Sequence, residues 1–97
     1  MQTSNETVNK TLQEINKHRA EIDKLDVQIV QLLNNRAQHS LAIRALKPNA
    51  NMQLFDPERE QEILNKLEVC NAGPLTQIGL ACIYETILDV MKNTPAL

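Results

Sequence analysis

Isoleucines recur seven residues apart along the first half of the chain, at Ile15, Ile22 and Ile29, and the series resumes at Ile43. The skipped position is Arg36. Leu12, Leu25, Leu32, Leu33 and Leu46 complete an apolar stripe with the period of an α-helix. Neither Gly nor Pro interrupts residues 3–47, so one helix is expected there. At about 1.5 Å per residue it would be roughly 60 Å long. Thr3, with Glu6 three residues on, fits a capping box at its start, and Pro48 supplies the first break. A 97-residue globule has too little remaining chain to cover such a rod. The pattern therefore predicts a partner along its length, most simply a second copy.

A second helix is expected from DPERE onward. Asp56 suits the N-cap and Pro57 the first helical position. Its apolar face reads Ile63, Leu64, Leu67 and Cys70. NAGP ends it, with Asn71 or Gly73 as the stop and Pro74 as the block. A third helix, over about residues 75–92, is apolar around much of its circumference, from Ile78 to Met91. Burial on more than one side is expected of it, and Pro95 ends it. No repeat, low-complexity segment or strand pattern of useful length occurs. The expected fold is all-α: one very long N-terminal helix and two shorter ones, forming a single domain over residues 1–97.

Composition removes some function classes. Aromatics make up 2% of a chain that is 42% hydrophobic, so the core must be Leu, Ile, Val and Ala. Ten basic and twelve acidic side chains leave a net charge of −2, which argues against nucleic acid as the main partner. No apolar run approaches a membrane span, and MQTSNETVNK lacks the apolar segment of a secretory signal. A soluble, cytoplasmic protein is expected. Cys70 and Cys82 lack metal-ligand spacing and read as two buried thiols in a reducing compartment.

Several polar residues fall on apolar faces. Arg36 and Lys47 are eleven residues apart. That spacing is almost three turns, so they project from nearly one side, about 16 Å apart along the axis. Ile43 lies between them, giving a short apolar floor with a cation at each end. Such a floor suits a small molecule with an apolar body and two anionic groups. Glu60 shares the stripe of Ile63 and Leu64, with Asp56 one turn earlier and Arg59 at the border. Each has an ordinary explanation. Arg36 could pair with Asp56 or Glu60 or fix a coiled-coil register, Lys47 could meet a helix dipole, and Asp56 could simply cap. Together they would crowd charges into one interior, where an unpaired charge is costly. Arg19 lies 17 residues before Arg36, about 25 Å away and roughly 100° around the helix. One straight helix cannot bring both to one small ligand, although two antiparallel copies can. Otherwise Arg19 is a surface arginine paired with Asp23.

The segments RAEIDKLDVQIVQLLNNR, LAIRALK and DPERE together resemble the all-helical chorismate mutase family over about residues 12–92. The family pattern places an Arg before an Ile-Asp…Asp segment, then an Arg, a Lys eleven residues later, and Asp-x-x-Arg-Glu. Here these are Arg19, Ile22, Asp23 and Asp26, then Arg36, Lys47, and Asp56, Arg59 and Glu60. NAGPL followed by IYETI also looks like the mutase domain that precedes prephenate dehydratase in bifunctional enzymes, and the chain is expected to stop short of a second domain. The resemblance implies an intertwined homodimer converting chorismate to prephenate on the way to Phe and Tyr, with no cofactor and no metal. It implies that Arg36 and the partner's Arg19 hold the two substrate carboxylates. Lys47 would contact a carboxylate and the ether oxygen, Asp56 and Glu60 the ring hydroxyl, and Arg59 would support the carboxylate network. Ile43 and Leu88 match apolar wall positions.

The third helix departs from the family. A small polar residue and, four positions on, Gln or Glu usually stand where Met91 and Pro95 stand here, counting from Tyr84. Met91 would then line the substrate without a useful hydrogen bond to a carboxylate, and Pro95 offers none to the ether oxygen, unless Asn93 or Thr94 substitutes for that donor. This keeps other readings open: a lyase removing pyruvate from isochorismate, a mutase for 4-amino-4-deoxychorismate, or a helical dimer of low or no activity. Losing one ether-oxygen donor is expected to lower turnover by about 10²–10³. Pro95→Gln should therefore raise the rate of chorismate conversion; an unchanged rate would count against this placement of Pro95.

Overall fold

The computed structural model describes residues 2–96, and their side chains over 4–96. Helix α1 runs Gln2–Leu46, a 3-10 turn covers Lys47–Ala50, α2 is Pro57–Cys70 and α3 is Gln77–Asn93. No strand occurs among the described residues. The chain divides into two compact units, Met1–Arg36 and Ala37–Leu97. The three-helix, all-α expectation holds. The Thr3–Glu6 capping box rests on a side chain outside the described ones.

In the first unit, α1 is uninterrupted because nothing in its sequence breaks the ladder. Its apolar stripe is open: Leu12, Ile15, Ile22, Leu25 and Ile29 are 40–53% exposed. The stripe read from the sequence is present, and this chain leaves it wet.

In the second unit, α1 stops at Leu46, one residue before the expected end. Pro48 has no N–H to continue the i→i−4 ladder, and its ring disfavours α-helix at Lys47. The chain tightens instead into the 3-10 turn. Asn51 closes it at φ 57°, a left-handed position that Asn tolerates. Its N–H donates to Pro48 O at 3.1 Å, and that of Met52 to Lys47 O at 3.0 Å. Helix α2 begins as expected. Asp56 Oδ1 accepts from the Arg59 N–H at 3.1 Å, Pro57 occupies the first turn, and Glu58 and Glu60 face the positive end of the dipole. After Cys70 the Asn71 side chain organises the turn. It accepts from the Gly73 N–H at 3.0 Å and donates to Leu75 O at 2.9 Å. Gly73 sits at φ 82°, a conformation that only glycine adopts freely. Helix α3 starts two residues later than expected, because Thr76 caps it: its Oγ1 accepts from the Gly79 N–H at 3.0 Å.

Leu88 and Met91 on α3 are the buried apolar side chains among the described residues, at 8% and 6% exposure. Ile63, Leu64 and Leu67 of α2 and Leu80, Tyr84 and Ile87 of α3 are half-buried. Ile78 and Val90 remain exposed, so this chain by itself does not cover the further sides of α3 that its composition led one to expect buried. Both cysteines are exposed, against expectation. Cys70 is the last residue of α2, past the half-buried Leu67, and Cys82 is exposed beside the half-buried Ala81 on α3.

The cap at Asp56 can be separated from its charge. Asp56→Ala is expected to lower stability by about 1 kcal/mol, and Asp56→Asn, an equally good cap, to leave it nearly unchanged. Urea unfolding of both variants makes the comparison; equal losses would show that the charge, rather than the cap, matters.

Candidate active site

Three cations tie the second unit together. Arg44, in the last turn of α1, donates from Nη1 to Thr94 O at 2.7 Å. Its Nη2 donates to Met91 O at 2.6 Å and Lys92 O at 3.1 Å. These carbonyls end α3, where the helix has no N–H to offer them, and a cation there also meets the negative end of the dipole. Lys47 Nζ donates to Leu54 O at 2.9 Å, drawing the segment before α2 back to the 3-10 turn. An ammonium has three donors, so this bond leaves two. Lys92 crosses from α3 to α2: Nζ lies 2.9 Å from Glu60 Oε1 and 3.5 Å from Asp89 Oδ1. It also lies 5.2 Å from the centroid of the Phe55 ring. The hydrogen bond to Glu60 is the main reason that the Lys92 pKa is raised above the ordinary lysine value; partial desolvation opposes it, and the Glu60 and Asp89 charges add to it.

The residues singled out from the sequence divide between the units. In the second, Lys47, Asp56 and Glu60 are half-buried, and Arg59 is exposed with Nη1 3.5 Å from Glu62 Oε2. Leu88 and Met91 are buried, while Ile43 is 54% exposed. An open groove lined by Pro57, Glu60, Gln61, Leu64, Leu88 and Asp89 runs beside Glu60. In the first unit, Arg36 is half-buried and Arg19 exposed. The Arg19–Asp23 pair does not occur among the described residues, and the ion-pair partner of Glu60 among them is Lys92. Asn93 and Thr94, the expected substitutes on α3, bond to their own helix. Asn93 Nδ2 donates to Asp89 O at 2.9 Å, and Thr94 Oγ1 to Val90 O at 2.7 Å.

Sequence reading missed Arg44 and Lys92. Lys92 had a signal: it stands four residues after Leu88 and next to Met91, at the border of the buried stripe of α3. Arg44 stands next to Ile43, and only the ends of two helices meeting in the fold reveal its partners.

A family model described as chorismate mutase type II matches residues 18–94. The chain belongs to the chorismate mutase type II family. It is 38% identical over 72 residues to the bifunctional chorismate mutase/prephenate dehydratase of Neisseria gonorrhoeae, a match covering 74% of this chain and 19% of that protein. It is 37% identical over 82 residues to the enzyme of the same name from Aquifex aeolicus, covering 80% of this chain and 23% of that one. The chain thus spans about a fifth of the length of these curated relatives. Among solved structures, one form of chorismate mutase from Thermus thermophilus superposes with a TM-score of 0.77 at 27% identity, covering 80% of this chain and 98% of that one. A second form gives a TM-score of 0.76 at 26% identity, covering 86% and 99%.

In this family member the end of α3 is held by Arg44 as well as by apolar packing. Arg44→Ala is expected to lower stability by about 2 kcal/mol in a chemical melt. Arg44→Lys should restore only part of it, because a point cation does not span three carbonyls. An unchanged midpoint in Arg44→Ala would show that these bonds contribute nothing.

Proposed function

We propose that the protein rearranges chorismate to prephenate in the cytoplasm, as a homodimer whose two sites each combine residues from both copies. The observation that carries this reading is the family match over residues 18–94, which takes in Arg19, Arg36, Lys47, Asp56, Arg59 and Glu60 at the family's spacing. The half-exposed α1 stripe supports the dimer: a second copy would remove that apolar surface from water.

The reaction is an intramolecular pericyclic rearrangement. One C–O bond breaks as one C–C bond forms, and no nucleophile or general base is needed. The work is orientation, which can lower a barrier by up to about 7–11 kcal/mol in favourable systems. Arg36 and the partner copy's Arg19 bind the two carboxylates through forked donors, with Arg59 supporting them. Lys47 supplies a cation where charge grows on the ether oxygen, an effect typically of about 3–4 kcal/mol. Glu60 accepts from the ring hydroxyl, Asp56 binds it partly through its backbone, and Ile43, Leu88 and Met91 form the apolar walls.

Complementation tests this reading. Arg19→Ala and Arg36→Ala are each expected to abolish measurable chorismate loss and prephenate formation while remaining folded dimers. Unfolded together and refolded as a mixture, they should regain about a quarter of wild-type activity, since half the dimers are hybrids with one intact site of two. Failure to regain activity would overturn the shared site. A wild-type dimer that leaves chorismate unchanged, or yields another product, would overturn the activity itself.

A further inference from the structure

The last turn of α3 lacks the polar side chains that the family pattern places there. Met91 is buried, Pro95 has no donor, and the side chains of Asn93 and Thr94 are bonded to carbonyls of their own helix. The polar side chain of this turn that does cross to α2 is Lys92, and it meets the carboxylate assigned above to the ring hydroxyl.

We infer that Lys92 is a positioning residue that sets specificity for the substituent on the substrate ring: it holds one oxygen of Glu60, leaves the other to a neutral hydroxyl, and disfavours a ring amine. The inference rests on the assignment of Glu60 as the hydroxyl-binding carboxylate.

An ionised carboxylate only accepts hydrogen bonds. With Lys92 Nζ 2.9 Å from Oε1, Oε2 is the oxygen left for a ligand. A hydroxyl donates its single hydrogen there and brings no charge. An alkyl amine at the same ring position is protonated near neutral pH and would place a second cation beside the Lys92 ammonium. Like charges that close oppose one another, which is discrimination by repulsion. Without Lys92, Glu60 would be an unshared anion and would favour the ammonium over the hydroxyl. Lys92 is itself held from two further sides, by Asp89 Oδ1 at 3.5 Å and the Phe55 ring at 5.2 Å. Its side chain is 40% exposed and that of Glu60 29%, and a pair this open adds little to folding stability. Removing it should therefore change selectivity more than it changes the fold.

The test uses the full chain and two substrates, chorismate and its analogue with an amine in place of the ring hydroxyl. For Lys92→Met we expect KM for chorismate to rise about tenfold with a smaller change in kcat, and the preference for hydroxyl over amine, as a ratio of kcat/KM values, to fall by about tenfold or more. Lys92→Gln, the second neutral variant, should lose the preference likewise if Lys92→Met does not fold. Lys92→Arg should restore it, and unfolding midpoints should hardly move. A preference unchanged in a folded neutral variant that still converts chorismate would overturn this inference alone. Wild-type protein inactive on chorismate would overturn the proposed function, and this inference with it.

Discussion

A 45-residue helix that carries Ile22, Leu25 and Ile29 in half-exposed positions holds an apolar face open to water, and the rest of the molecule depends on how that face is covered. Fully covering a Leu or Ile side chain is worth about 1.5–3 kcal/mol, so the stripe represents a large reserve of unrealised burial. Few apolar side chains are buried within the chain itself, Leu88 and Met91 alone among the described residues. The same helix that needs covering also carries Arg19 and Arg36. Under the proposed assembly, the surface that joins two copies and the surface that binds substrate are built by one element.

Within the second unit, directed polar contacts set where its elements stand. Arg44 gathers the carbonyls of Met91, Lys92 and Thr94, and Lys92 reaches across to Glu60. The two contacts tie one turn of α3 to two other helices, to α1 and to α2. They fix where this turn stands relative to α2, whose first turn carries Asp56, Arg59 and Glu60. The bonds at Lys47 and Asn51 do the same for the segment leading into α2. A site that works by orientation depends on placement of this kind.

Much of this was legible beforehand because local rules set it. Pro48 stops α1 and Asp56-Pro57 starts α2 by steric and hydrogen-bonding constraints within a few residues, so sequence spacing suffices. The half-buried Glu60, Ile63, Leu64 and Leu67 follow from helical period. Helix α3 starts two residues later than the end of the Pro74 block suggests, because Thr76 makes the cap. The cysteines were read as buried from residue type, yet position decided otherwise: Cys70 ends a helix. Arg44 and Lys92 were missed for another reason. Their partners lie in other helices, 47 to 50 residues away for Arg44, and no periodicity encodes a contact between helix ends. The family motif is recognisable as a set of residues, since no one of them is distinctive alone.

The open stripe of α1 also bears on thermodynamics. A chain whose longest helix is satisfied only by another copy has no single folding free energy. In the proposed dimer the native state would be reached by a bimolecular step, and mass action would set how much of it exists. Dilution would then act on this protein much as a denaturant acts on a monomer, and its abundance in the cell would be a term in its own stability.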